Sequence, residues 1–466
     1  MNKAPLLMDN RHDIQAVVAS GFGWLHSSRF RLMTIVDPVP ALEWLAKLRQ
    51  SGLVKSIQEV GTFKLMTAGE PDQLAAIAFS HAGLQRLGLD DSPAYPFPTA
   101  FRSGMGSELR RDLLRDHPRE QWVWGDTAAD GKQPVARQVV HILFAHWWRG
   151  DDECAFPLIP AGAFEVRVVH GSPEFFDGKA LYEPFGFRDG ISQPTIYGLK
   201  ADSEDEPTGR HANDHVVAPG EFILGYRNEY DELSYCPDVV RRGQALHQTA
   251  WERNFTFNGS FLAVRQIDQD VEALGRLEDI VMPAGSCPAG ACPAEKMMGR
   301  YRDGRPLGWT QSQPPDDDQA NDFRYRVDDE DGFVTPRGSH IRRANPRDML
   351  GHDVASGILS SKLHRLLRRG RPYRSEDDNS VGLFFIACNT DLERQFEFIH
   401  QRWLRNPRFA DLEDEDDPIL GAPGSARRFS MPGMPSGRGL SFQSLTTTIG
   451  GGYFFLPGIK ALHSLA

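Results

Sequence analysis

Two halves of this chain repeat one rhythm of apolar runs, and that repetition restricts its folds more than any other feature. In the first half, RFRLMTIV (29–36) has the β-branched and apolar content of a strand. PALEWLAKLRQ (40–50) follows as a Pro-led helix with apolar positions three and four apart. GTFKLMTA (61–68) reads as a strand, PDQLAAIAFSHAGLQRLGL (71–89) as a helix closed by a glycine, and FEVRVVHG (164–171) as another strand. PVARQVVHILFAHW (134–147) fits neither period cleanly. After an acidic stretch, KADSEDEPTGRHANDH (200–215), the rhythm returns. GEFILGY (220–226) and GSFLAVRQID (259–268) read as strands, and a helix opens at Asp270. GLFFIACN (382–389) is a strong strand, LERQFEFIHQRWL (392–404) an amphipathic helix, and GGGYFFLPG (450–458) a closing strand. Helices are too few for a doubly wound parallel sheet, so the expected class is α+β. The 466 residues exceed what one core usually serves, which sets expected domains at 1–210 and 211–466.

Charge narrows the partners. A formal net charge of −11 argues against nucleic acid, which requires a basic footprint, and against anionic membrane surfaces. VVHILFAHWW (139–148) is too short to span a bilayer and carries two histidines. The amino terminus lacks the basic-then-apolar pattern of a signal peptide. Five cysteines, Cys154, Cys236, Cys287, Cys292 and Cys388, are sparse and odd in number, which points to reduced thiols and the cytoplasm. The acidic runs at 202–206, 316–331 and 413–417 read as solvated loops. VDDEDGF (327–333) lacks the first and twelfth acids of a calcium loop, and CPAGAC (287–292) offers only two metal ligands. His141 and His146 read as packing histidines.

No HExxH, Walker or GxSxG motif is present. Four separated segments carry the chemistry that remains: EPFGFRDGISQP (183–194), GSHIRRANPRD (338–348), HRLLRRGRPY (364–373) and FFIACNTDLERQFEF (384–398). Together they supply an imidazole, two carboxylates and several guanidiniums. An axial nitrogen, an acid to orient it and cations for propionates are what a haem pocket needs. The absence of CxxCH excludes covalent c-type attachment.

In these segments, and in AFSHAGLQRLGL (78–89) and APGEFILGYRNEY (218–230), the chain resembles the dye-decolourising peroxidases, most closely their larger members. GFRDG (186–190) matches that family's GxxDG signature, and SHIRRANPR stands in the right order after it. The resemblance implies two ferredoxin-like α+β domains, each an antiparallel sheet with flanking helices. Non-covalent haem b would lie between sheet and helices of the second domain. His340 matches the proximal iron ligand. Asp391 has two roles open to it, an acid behind His340 or a helix N-cap. Asp189 matches the distal proton-transferring acid, with Gly186, Gly190 and Ile191 as porphyrin contacts. Arg368 matches the distal arginine, although a one-place slip would exchange it with Arg369. Arg342 and Arg343 are candidate propionate partners, with surface charge as the alternative, and Arg188 could be either.

The implied activity is a haem peroxidase. Hydrogen peroxide would be the oxidant, and bulky aromatic, dye-like or phenolic donors would be oxidised by one-electron steps. An acid as proton carrier implies an acidic pH optimum. The competing reading is a haem-handling protein with incidental peroxidase activity, and a homo-oligomer is left open.

Overall fold

The computed structural model describes residues 7–61, 71–116, 121–126, 138–178, 180–199, 209–242, 255–279, 291–424, 426–432 and 439–465. Cys287, the strand expected over 61–68 and most of the acidic stretch at 200–215 lie outside them.

Eight antiparallel strands organise the molecule. The first four are β1 (Ser27–Ile35), β2 (Gln73–Phe79), β3 (Ile142–Trp148) and β4 (Phe164–Gly171). The second four are β5 (Ser260–Gln269), β6 (Arg371–Arg374), β7 (Val381–Asn389) and β8 (Thr446–Leu456). The first set pairs in the order β4-β1-β3-β2 and the second in the order β8-β5-β7-β6. Numbered within each set, both orders are four-one-three-two. The repeated rhythm of the sequence is thus a repeated topology. The sets also join at both edges, through Tyr373↔Gly171 between β6 and β4 and Phe455↔Phe79 between β8 and β2. The result is a closed ring, in which every one of the eight strands has two partners.

Closure explains why β2, β3, β5 and β8 read as near-continuous apolar runs, since both their faces are covered, whereas β4 keeps Glu165 and Val166 exposed. Inside the ring, Phe30, Leu143, Trp147, Val264, Phe384 and Phe454 form one buried cluster. Outside it, Ile35, Ile77, Phe144 and Phe164 pack under helix α1 (Pro38–Ser51), which contributes Trp44, Leu45 and Leu48. Asp37 caps α1 by accepting from the Val39 N–H at 3.0 Å, and Gly52 ends it in a left-handed conformation.

Two expectations fail here. The stretch 71–89 is not one helix: Gln73–Phe79 is β2, and only His81–Arg86 is helical, capped by Ser80. LAAIAF has no polar stripe, and all six residues are buried, as a strand covered on both faces requires. GEFILGY forms no strand either. It begins as a tight 3-10 turn (Pro219–Glu221), after which Phe222, Ile223 and Leu224 are fully buried without a sheet neighbour. No described helix is long and apolar enough to cross a membrane.

The second half adds α2 (His340–Ala344) and α3, a helix of π-type turns running through Glu393–Glu397 and Ile399–Leu404. Glu397 N–H donates to the Leu392 carbonyl at 2.9 Å, a five-residue spacing that widens the helix. Between these helices and the outer face of β5 and β7 the apolar packing is interrupted, and a cavity opens.

Candidate functional site

The cavity encloses about 1710 Å³ between its walls, its mouth included. β5 contributes Arg265, Ile267 and Gln269, and β7 contributes Leu383 and Phe385, all of one parity and so one face. His340, Ile341, Ala344 and Asn345 come from α2 and its end, and Phe396, Ile399, His400 and Leu404 from α3. The 183–192 loop completes the wall with Glu183, Arg188, Asp189, Gly190 and Ile191.

His340 is fixed from behind. Its Nδ1 lies 3.1 and 3.0 Å from the two carboxylate oxygens of Asp417, which is fully buried. Burial pushes the Asp417 carboxyl up. The His340 ring, the Leu420 N–H and the Arg343 charge outweigh that and hold it below the usual carboxylate range. An ionised acid at this distance keeps the proton on Nδ1 and leaves the Nε2 lone pair available as a metal ligand. The acid expected there, Asp391, is not the partner. It accepts from the Arg394 N–H at 2.9 Å and caps the start of α3, the other role open to it.

Asp417 falls in the run 413–417, expected to be a solvated loop, so that reading fails for this residue. Its carboxylate also accepts from the Ile419 and Leu420 N–H groups at 2.9 and 2.7 Å. The usable signal was its sequel: Pro-Ile-Leu is apolar, unlike a solvated loop.

Arg342 and Arg343 do not reach the cavity. On α2 they face away from His340, Ile341 and Ala344, and both are fully buried. Arg342 donates to the carbonyls of Thr335 (2.7 Å), Asp329 (3.0 Å) and Glu330 (3.0 Å). Arg343 donates to those of Trp403 (2.7 Å) and Asn406 (3.1 Å). They pin the helix that carries His340 rather than binding a ligand.

Asp189 and Arg368 meet in the cavity wall, Nη2 to Oδ1 at 3.4 Å. Arg368 lies on the short stretch Leu367–Arg368 paired to β7, and its own N–H donates to Gln193 Oε1 at 3.0 Å. Arg369 turns the other way and donates to the carbonyls of Val17 and Val18, both at 2.6 Å. Of the two arginines, Arg368 is the one that reaches the cavity. Arg188 lines the cavity and pairs with Asp317 at 2.6 Å. Gly190, at φ +86°, borders the cavity with open space where a Cβ would stand. Gly186 does not border it: a Cβ there would meet Arg302 at 2.8 Å.

Four arginines that motif reading did not assign also matter. Arg265 is held by Asp116 through two bonds of 2.7 and 2.6 Å. Arg300 and Arg347 share the Asn321 side chain, and Arg347 covers the Phe323 ring at 3.7 Å. Arg365 is buried, and its Nη2 has no partner. Burial and the charges of Arg347 and Arg368 push its guanidinium down to about 9. A buried, under-compensated cation beside an apolar slot awaits an anion. Apolar walls, an imidazole with a free Nε2 and this cation together fit a flat macrocycle with iron and carboxylate arms.

No family model matches the chain. It is 28% identical to the multifunctional dye peroxidase DyP2 of Amycolatopsis sp., over 89% of this chain and 88% of that protein. It is 26% identical to the dye-decolorizing peroxidase AauDyP1 of Auricularia auricula-judae, over 97% and 86%. Among solved structures, a decolorizing peroxidase from A. auricula-judae superposes with a TM-score of 0.72 at 23% identity, over 98% of this chain and all (100%) of the other. An ancestral D-type dye-decolorizing peroxidase gives 0.72 at 23%, over 99% and 100%.

Proposed function

Taking the chain as a member of the dye-decolourising peroxidase family, to which relatives and fold alike connect it along nearly its whole length, we propose that it is a haem b peroxidase. Hydrogen peroxide is its oxidant, and bulky aromatic or dye-like molecules are its electron donors. One observation carries this reading: Asp189 and Arg368 lie 3.4 Å apart on the same cavity as a histidine whose Nδ1 is held by a buried acid. A protein that only carried haem would need the histidine and not the pair.

His340 would hold the iron through Nε2. Arg365, with Arg347 close by, is the natural partner for a propionate, and Ile191, Ile267, Leu383 and Phe385 would flank the ring. Bound haem supplies an iron centre at which peroxide can be reduced by two electrons. Asp189 serves as a carboxylate base: it takes a proton from one peroxide oxygen and passes it to the other, which departs as water. The fixed positive charge of Arg368 favours the negative charge that builds as the O–O bond lengthens.

As a class, carboxylate bases work at lower pH than imidazole bases, so activity is expected to extend into mild acid. The cytoplasm suits the thiols of Cys154, Cys236, Cys292 and Cys388, none of which is in a disulfide. The test is optical. Haem-loaded protein should show a Soret band that changes within milliseconds to seconds of mixing with hydrogen peroxide and recovers on adding an anthraquinone dye. A Soret band indifferent to peroxide would mark a carrier, and no Soret band would end the haem assignment.

A further inference from the structure

Glu183 opens the EPFGFRDG segment and lines the cavity beside the Asp189–Arg368 pair without belonging to it. Its carboxylate is caged by the loop it begins. Oε1 accepts from the Phe187 N–H at 2.9 Å, and Oε2 accepts from the Phe185 N–H at 3.0 Å. The main chain closes the same loop, with Glu183 N–H donating to the Phe187 carbonyl at 3.0 Å and Gly186 N–H to the Glu183 carbonyl at 2.7 Å. From β5, the Gln269 amide nitrogen donates to Oε2. The other end of that amide, Oε1 of Gln269, is buried and has no partner.

A side-chain amide exchanges donor for acceptor by a half-turn. With its nitrogen toward Oε2, Gln269 serves an ionised Glu183. Turned over, its orphaned oxygen would accept an O–H from Glu183, while the Phe185 and Phe187 N–H groups keep their acceptors. The pair therefore has one arrangement for each charge state. The charges that interact with it are those of Asp189, on the same loop, and Arg302, which donates to the Phe185 carbonyl and pairs with Glu278. Around the rest of the cavity, Arg265 is committed to Asp116, Arg188 to Asp317 and Arg368 to Asp189.

We propose that Glu183 and Gln269 form a second proton-holding site of the cavity, and that Glu183 is a positioning residue acting through Asp189. The acid form leaves Asp189 as the loop's only negative charge facing the cavity. The carboxylate form sets a second negative charge on the same loop, and the two charges oppose each other. Burial pushes Glu183 up to about 7, with the Asp189 charge adding to the rise, so the change falls in the neutral range. The role assigned to Asp189 rests on the peroxidase reading, whereas the proton site does not.

Infrared difference spectra of the haem-loaded protein test the site directly. Wild-type protein carrying [13C]glutamate should show a protonated carboxyl stretch, shifted by the label, that disappears as pH is raised from about 5 to about 9 through neutrality. Glu183→Gln should lack it. In parallel, the rate of reaction with peroxide against pH should show an inflection near neutrality in wild type that is lost in Glu183→Gln. If no labelled carboxyl stretch disappears in wild type, a measurement that needs no variant, the proton site is overturned. If the stretch behaves as expected but the rate profile is unchanged in Glu183→Gln, the coupling to Asp189 is overturned. A labelled stretch in a protein inert to peroxide would uphold the proton site and overturn the peroxidase reading.

Discussion

The two sheets of the ring share a strand order and differ on one face. On the first, Ile77, Phe144 and Phe164 are sealed under α1, with Trp44 fully buried and its indole N–H donating to the Pro157 carbonyl at 3.0 Å. On the second, Phe261 and Ala263 join that apolar cluster, but farther along the same face β5 presents Arg265, Ile267 and Gln269 to a cavity. Topology is therefore indifferent to chemistry here. One copy spends its face on cohesion, and the other leaves it open and lines it with charge.

Substitutions on the two faces should fail in different ways. The largest effect belongs to His340→Ala, which should abolish haem retention while the chain stays folded, checked by Soret absorbance after gel filtration and by circular dichroism. On the sealed face, Trp44→Ala should cost about 3–5 kcal/mol of stability in a denaturant titration, with the haem spectrum of the folded fraction unchanged. Asp189→Asn and Arg368→Leu should each keep haem and slow the peroxide step by roughly a hundredfold or more in stopped flow. Equal rates in variants and wild type would break the assignment of that pair.

The smallest effect lies back on the first sheet and depends on pH. Burial pushes the Glu153 carboxyl up, but hydrogen bonds from His146, Arg31 and Arg29, with the charge of Arg31, hold it below the usual range. A depressed folded value contributes stability that is present above the ordinary glutamate range and lost as pH falls through the folded value. Glu153→Gln should thus be less stable than wild type by about 2 kcal/mol near neutral pH, with the gap closing in acid, as urea midpoints across pH would show.

Local pattern revealed most of the ring, because β1, β4, β5, β7 and α1 carry their periods within a dozen residues. It misread 71–89, where small alanines suit both a helix and a doubly covered strand, and only the partner strands decide. The site was legible where the chemistry is local to a motif: Asp189, His340 and Arg368 stand in recognisable segments and share a cavity. It was illegible where the partner is distant. Asp417 lies 77 positions from His340, in a run whose composition resembles solvated loops. Arg342 and Arg343 looked like ligand cations because charge in sequence does not reveal direction. Five residues of helix turn them to the far side, where main-chain carbonyls claim them.

Closure of the ring also has a consequence for how the protein is made. β8 is the last of the eight strands to be synthesised, yet it hydrogen-bonds both to β5 and to β2, joining Phe455 to Phe79. Until it arrives, β2 and β5 each have a bare edge, and the cavity lacks Thr446 from its wall. Such long-range closure is slow, and open edges invite pairing with other chains. Expression faster than β8 can dock should therefore yield aggregates.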